Sequence, residues 1–171
     1  MKTYVVLAAI GAFALPLAAQ NPLIASHKGL YGIAKNDVLR AAEKMPEDKY
    51  GYRATDEVRT FGQIVGHVAD AQYLFCAMSL GEKNPSPGIE KGKTSKADLV
   101  QALKDAFVYC DKVFDGMTDA HAADVVKVFG RDSTKLGVLS FNTAHTMEHY
   151  GNIVTYMRLN KLVPPSSEGQ R

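Results

Sequence analysis

Three histidines in this sequence have the spacing and surroundings expected of a metal site. His145 and His149 are four residues apart, so on a helix their rings project from adjacent turns of one face and can reach a single ion. His67 shares a helical stripe with Ile64 and Leu74, which places it on an inward face of another segment. Three neutral imidazoles suit zinc, nickel, iron or copper, and three protein ligands leave a coordination position open. The pattern predicts a divalent-metal site of the catalytic kind.

A polar core without metal is the competing interpretation. The chain has five histidines, so a pair four residues apart also arises by chance. A single inward histidine is more often a hydrogen-bonded core residue than a ligand, because burial of an unpaired polar group costs about 1–3 kcal/mol. The sequence alone leaves both interpretations open.

Several polar residues near these histidines are candidates for supporting roles. Asp70, one turn after His67, is the candidate catalytic residue, as a general base for a metal-bound water; the alternatives are a fourth ligand and a solvent-exposed residue beside the site. Asn142 and Asn152 share the face of His145 and His149, so they either orient the imidazoles or form a separate polar layer.

The roles of the other polar residues are predicted less specifically. Glu148 is a second candidate base, and Tyr156 faces inward, where it either orients substrate or fills the core. His27 lies near the start of the first helix and is expected to be structural, whereas His121 is expected to be exposed. Arg59 precedes the His67 segment and either meets an anionic substrate or is solvated.

Four helices are predicted to hold these residues. Apolar residues recur every three or four positions in four segments, residues 23–45, 60–81, 95–117 and 134–162. Thr60 and Gln63 form a capping box at the start of the second segment, and Pro46 ends the first. Residues 82–94 are predicted to be a loop, and residues 118–133 an irregular stretch with a helical turn and an extended run at 125–129. The expected fold class is all-α, a four-helix bundle.

The first nineteen residues are predicted to be a secretory signal peptide. A positive start at Met1-Lys2 precedes an uncharged apolar run, and Pro16 is followed by small residues. The run is short for a membrane span, so no stable span is expected after cleavage. The protein is therefore expected to be exported, periplasmic or secreted, with residues 20–171 as one domain.

Composition excludes some function classes. The formal net charge is +2 and no long basic run is present, which argues against nucleic-acid binding. Hydrophobic residues make up 46% of the chain and charged residues 22%, which argues against disorder. The expected partner is a small-molecule substrate.

The two histidine segments resemble the DinB-like metalloprotein family. The resemblance is carried by TFGQIVGH at residues 60–67 and NTAHTMEHYGN at residues 142–152. It implies an up-down-down-up four-helix bundle, a homodimer, and zinc or nickel (or iron) on His67, His145 and His149. Two features depart from the family pattern: asparagine stands at position 152, where relatives often have glutamine, and a signal peptide is predicted.

The resemblance does not fix one reaction. Family members include thiol-dependent transferases and isomerases, while an exported location makes cytosolic thiols less available and favours hydrolase-type chemistry. A non-catalytic metal-binding or small-molecule-binding envelope protein is the third expectation.

Two cysteines complete the sequence-level expectations. Export favours a disulfide between Cys76 and Cys110, and the family helix order places them at similar heights. Cys76 points away from the His67 stripe, however, so two separately packed thiols remain the alternative.

Overall fold

The protein is described by a computed structural model that covers residues 21–169, and these residues are mostly helical. Four long helices are joined by two single-turn helices and a short hairpin. In chain order the elements are α1 Pro22–Lys44, α2 Phe61–Leu80, α3 Ile89–Gly92, α4 Lys96–Gly116, α5 Asp119–Ala122, β1 Val125–Val128, β2 Arg131–Thr134 and α6 Lys135–Leu159, with 3₁₀ turns at Glu47–Lys49 and Pro165–Ser167. The predicted signal peptide, residues 1–19, lies outside the described residues.

The ends of α2 form where local sequence chemistry places them. The Gln63 N–H donates to the Thr60 hydroxyl at 3.2 Å, and the Thr60 N–H donates to the Gln63 side-chain oxygen at 2.8 Å. At the other end Gly81 has a φ of 73°, a left-handed conformation that glycine adopts readily. The predicted capping box is confirmed, and the observed bounds of the four long helices lie within a few residues of the predicted ones.

Helix α2 contacts both α4 and α6. A disulfide joins Cys76 to Cys110, with 5.5 Å between the Cα atoms, and pairs the later halves of α2 and α4, which therefore run parallel. Gln72 donates to Thr146, whereas the earlier His67 lies beside the later His149, so α6 runs antiparallel to α2. The disulfide resolves the two alternatives for the cysteines.

Helix α1 completes the packing against α4 and α6. Near its start, His27 lies 3.1 Å from the Thr143 hydroxyl of α6. At its end, the Lys44 ammonium donates to the carbonyl of Val163, just beyond α6, at 2.8 Å. These contacts make α1 parallel to α6. Tyr31 stacks on Phe114 of α4, and both rings are almost completely buried in the main apolar core.

Strands β1 and β2 form an antiparallel hairpin in which Val128 pairs with Arg131. Its two turn residues, Phe129 and Gly130, have φ values of 48° and 80°, as a tight hairpin turn requires. One side of β1 packs against a small apolar cluster on α2 and α6. The extended run was predicted at 125–129, but its pairing with the next residues was not.

Helix α3 lies inside the segment predicted to be a loop. It is one turn long and begins after Gly88, whose φ is 88°. Helix α3 rests on α2 at Gly66, where a Cβ atom would lie 2.8 Å from the Cα of Glu90. Only a residue without a side chain allows this approach. Among residues 21–169, no helix has the length and apolarity needed to cross a membrane.

Candidate metal centre

Helices α2 and α6 bring three histidine rings together in the half-buried space between them. The Nε2 atom of His145 lies 3.2 Å from Nε2 of His67 and 3.1 Å from Nε2 of His149. One ring nitrogen from each residue lies within 4.8 Å of the other two. The helical spacing of His145 and His149 and the antiparallel packing of α2 and α6 produce this convergence. The three residues predicted as ligands are thus placed in one cluster.

A carboxylate holds the other nitrogen of His67. Its Nδ1 lies 3.1 Å from Oε2 of Glu90, and the other oxygen of that carboxylate accepts from Nε of Arg59 at 2.8 Å. Arg59 is fixed in turn, because the Tyr156 hydroxyl donates to its backbone carbonyl at 2.8 Å. Glu90 is in α3 and was not predicted from the sequence. It gives His67 the carboxylate partner that metal-ligating histidines commonly have.

Asp70, the predicted catalytic residue, contacts the backbone of α3. Its two carboxylate oxygens accept backbone N–H groups of Ile89 and Glu90, at 2.8 and 2.9 Å. These bonds satisfy the free N–H groups at the start of α3. Asp70 thus fixes the segment that carries Glu90, and the group of described residues that could hold a metal consists of the three histidines. The catalytic role of Asp70 stays a prediction.

The surroundings of the cluster favour the neutral form of two of its rings, those of His145 and His149. Burial, together with the neighbouring His145 and His67, lowers the pKa of His149 to about 4. Burial and the charge of His67 also lower the pKa of His145. The rings of Phe75 and Phe141 contribute to this burial, with centroids 5.6 and 6.2 Å from that of His145. Neutral imidazoles are the form that binds metal ions.

The hydrogen-bonding pattern fits a cation at the centre of the cluster. A neutral His67 must carry its proton on Nδ1 to donate to the Glu90 carboxylate, which turns the Nε2 lone pair towards His145. One hydrogen on Nε2 of His145 cannot make full hydrogen bonds to two neighbouring nitrogens at once. A metal ion would accept all three lone pairs together. The donor set therefore fits a divalent ion of the imidazole-binding class.

The two asparagines on this face have separate surroundings. The side-chain amide of Asn152 lies 3.4 Å from Nδ1 of His149, where it can orient that ring. Asn142 is completely buried away from the rings, donates to Gln72 at 2.9 Å, and lies 3.6 Å from Sγ of Cys76. Asn152 therefore has the position of an orienting residue, whereas Asn142 belongs to a polar layer beside the disulfide.

The remaining candidates lie outside the cluster. His27 stacks on Phe114, as expected for a structural residue. The exposed His121 lies 3.2 Å from Asp124. Glu148 is exposed on α6. The apolar walls at Phe75 and Phe141 are a further feature that was not assigned to the site from the sequence, because their positions resemble ordinary core and surface positions.

Comparison with known proteins identifies similar chains over most of this length. The family model described as the DinB superfamily matches residues 31–153. The uncharacterized protein YjoA of Bacillus subtilis (strain 168) is 27% identical over 130 residues, which cover 72% of this chain and 82% of that protein.

Solved structures with the same fold are also found. A DinB-like protein from Bacillus cereus ATCC 10987 superposes with a TM-score of 0.74 at 14% identity, covering 83% of this chain and 95% of that one. The DinB-like protein YjoA from Bacillus subtilis gives a TM-score of 0.66 at 22% identity and covers 82% and 92%. A mycothiol-dependent maleylpyruvate isomerase gives 0.64 at 14% identity and covers 76% of this chain and 60% of that one.

Proposed function

Because the chain belongs to the DinB superfamily, we propose that it is a metal-dependent enzyme in which His67, His145 and His149 hold one divalent cation. The observation that carries the proposal is the convergence of three Nε2 atoms with the Nδ1 of His67 fixed by Glu90. The chemistry of three imidazoles favours zinc or nickel, with iron as the next choice. The pairwise helix contacts support an up-down-down-up four-helix bundle as the scaffold.

The chain's own residues prepare the centre for catalysis. A divalent ion in such a site supplies Lewis acidity, which lowers the pKa of a small nucleophile and polarises a carbonyl group. Glu90 and Asn152 orient two of the rings. Phe75 and Phe141 place apolar rings on one side of His145 and lower the local dielectric, which strengthens electrostatic effects at the centre.

Hydrolysis of a small substrate is the reaction class we propose first. Its support is the predicted signal peptide, since an exported protein has water but little access to cytosolic thiols. A thiol-dependent transferase or isomerase is the second candidate, favoured by the shared fold with a mycothiol-dependent isomerase. We further propose that the mature protein, residues 20–171, is periplasmic or secreted and forms a homodimer.

Metal binding is tested first on purified protein stripped with a chelator. Titration calorimetry with Zn²⁺ and Ni²⁺ is expected to show one site per chain, and His67→Ala, His145→Ala and His149→Ala are each expected to weaken binding at least tenfold. His121→Ala is the matched control, because His121 is exposed and distant from the cluster. Unchanged affinity in all three cluster variants would contradict the site.

Turnover is tested with the metal-loaded protein. Ester and amide substrates are offered with and without an added low-molecular-weight thiol, and the chelated protein is the blank. Metal-dependent turnover without thiol supports hydrolysis, and turnover only with thiol supports the transferase alternative. A metal-loaded protein inactive in both arms would favour a non-catalytic binding protein.

A further inference from the structure

We infer that a groove beside the histidine cluster binds an amphipathic carboxylate, with the apolar body on Phe75 and Phe141 and the carboxylate on Arg131. The groove lies between the hairpin and the first turns of α6, and its volume is about 570 Å³. This is within the usual range for small-molecule sites. Only the identification of this ligand with the substrate rests on the proposed function.

The floor and one side of the groove are aromatic. The ring of Phe75 contacts Phe141 at 5.1 Å and Phe129 at 6.4 Å between centroids, both in edge-on geometry. Phe129 is 70% exposed and Phe141 is 56% exposed, so both present apolar surface to the groove instead of filling the core. Aromatic surfaces of this kind bind flat rings or short acyl chains.

The hairpin turn holds Phe129 in place. Phe129 has a φ of 48°, a conformation that a bulky residue adopts only at a cost. Because Val126 and Val128 anchor β1 on α2 and α6, the turn projects its side chain over Phe75. The strained position places an aromatic side chain beside the groove, where a polar turn residue would otherwise be expected.

The charge of the groove is set by one arginine. Arg131 and Asp132 both line it, and Asp132 pairs with Lys127 at 2.5 Å. Within residues 21–169, Arg131 makes no ion pair, so its guanidinium is available to a ligand. Arginine binds carboxylates through two parallel hydrogen bonds, and this geometry favours a carboxylate over a neutral group.

The groove adjoins the histidine cluster through two shared aromatic residues. Phe75 and Phe141 line it and also contact the ring of His145. A ligand with its carboxylate at Arg131 and its body on these rings would direct its far end towards the three Nε2 atoms. The groove thus defines a substrate class, an apolar acid whose reacting group is at the end opposite the carboxylate.

The test uses a fluorescent reporter placed in the groove. The chain has no tryptophan, so Phe129→Trp introduces a single tryptophan, which can be excited selectively over the tyrosines and keeps an aromatic ring at this position. Chelated Phe129→Trp protein is titrated with 3-phenylpropionate and with the isosteric 3-phenylpropionamide. The acid is expected to bind about tenfold more tightly, since a charge-assisted hydrogen bond to arginine discriminates by about that factor.

Two variants in the Phe129→Trp background decide the outcome. Arg131→Gln is expected to remove the preference for the acid and leave the amide unchanged, whereas Phe141→Ala weakens both ligands. Arg158→Gln, which removes one exposed charge near the far end of α6, is the matched control. Equal binding of acid and amide, a preference that survives Arg131→Gln, or no binding of either ligand would overturn the inference.

The design separates this inference from the proposed function. The titrations use metal-free protein and measure the groove alone, whereas the calorimetric metal titrations measure the histidine cluster alone. A normal groove result without metal binding would overturn only the proposed function. Metal binding without a preference for the acid over the amide would overturn only the inference about the groove.

Discussion

Glu90 connects the histidine cluster to the surrounding structure. It contacts the ring of His67, the guanidinium of Arg59 and, through its backbone N–H, the carboxylate of Asp70. We predict that Glu90→Gln weakens zinc binding about tenfold, because the neutral amide no longer raises the basicity of His67. Titration calorimetry on chelated protein measures the change.

The matched control for this prediction is Glu148→Gln. Glu148 is next to His149 in the sequence but is exposed and makes no hydrogen bond to the rings among the described residues. Its replacement is expected to leave zinc affinity within twofold of the parent value. Equal losses in the two variants would mean that general negative charge, not the contact with His67, supports binding.

His149 makes the stability of the metal-free protein depend on pH. Its pKa is about 4 in the folded protein and near 6.5 in the unfolded chain. Between these values the unfolded chain binds more protons, so the free energy of unfolding falls as the pH falls from 7 towards 4. We expect a loss on the order of 1 kcal/mol between pH 7 and pH 5, measured by urea unfolding in the presence of a chelator.

The His149→Gln variant is expected to lose much of this dependence. His145 has a pKa lowered in the same direction and preserves part of it. His121→Gln, at an exposed position, is expected to retain the full dependence. A parent protein as stable at pH 5 as at pH 7 would contradict the assigned burial of the rings.

The three histidines and Asn152 could be proposed from the sequence, but Glu90 could not. Histidine spacing on a helix is a local property, so His145 and His149 were recognisable from position alone. Glu90 reaches His67 only because α3 docks on α2, a contact between segments 23 residues apart. The bonds of Asp70 to the same segment could not be predicted from the sequence for the same reason.

Helix α3 lies very close to the backbone of α2. Gly66 allows its backbone to approach so closely that a Cβ atom would lie 2.8 Å from the Cα of Glu90. We predict that Gly66→Ala displaces α3, destabilises the protein by about 1–3 kcal/mol and weakens zinc binding. Urea unfolding and calorimetry report the two effects.

Gly29→Ala is the control for the glycine substitution. Gly29 is exposed within α1, and nothing lies within 4 Å of the added Cβ atom. Alanine there is expected to stabilise the helix by about 0.5–1 kcal/mol through its lower conformational entropy cost. If both substitutions stabilise the protein, the close contact of α3 with α2 is wrong.

Asp70, in α2, caps the start of α3 with its carboxylate. Asp70→Asn leaves one oxygen to accept an N–H and loses the charge, so we expect a loss of about 1–2 kcal/mol in stability. Zinc binding is expected to weaken less than in Glu90→Gln. Asp105→Asn, an exposed carboxylate on α4, serves as the control in urea unfolding. Loss of turnover with unchanged stability and zinc affinity would instead support the role of general base.

The long helices and the short elements differ in how well the sequence predicts them. The capping box at Thr60 and the apolar stripes of the four long helices are local signals, and both are present in the structure. The hairpin has only four residues per strand and a turn with Phe129 at positive φ, which is not a typical turn signal. Its stability comes from packing of Val126 and Val128 on α2 and α6, which no local pattern records.

At the scale of the whole molecule, α2 is connected to its two neighbouring helices, α4 and α6, in two different ways. Its first half faces α6 through the histidine cluster, and its second half is tied to α4 by the Cys76–Cys110 disulfide. Between them lies a buried polar layer in which Gln72 bonds Asn142 and Thr146. The restraint on the α4 side therefore depends on redox state, and the proposed metal would add a second restraint on the α6 side.

Reduction of the disulfide is therefore expected to lower global stability. The bridge closes a loop across 34 residues, and the chain-entropy relation gives about 3–4 kcal/mol for a loop of this length. We predict that dithiothreitol shifts the urea midpoint of the parent protein downwards by a corresponding amount. The Cys76→Ser/Cys110→Ser double variant is expected to have the same urea midpoint as the reduced parent protein, and dithiothreitol is expected to leave that midpoint unchanged. Two results together would contradict this prediction: a urea midpoint of the parent protein that dithiothreitol does not change, and two free thiols after denaturation without reductant. They would show that the disulfide is absent in solution and that packing alone holds α2 against α4.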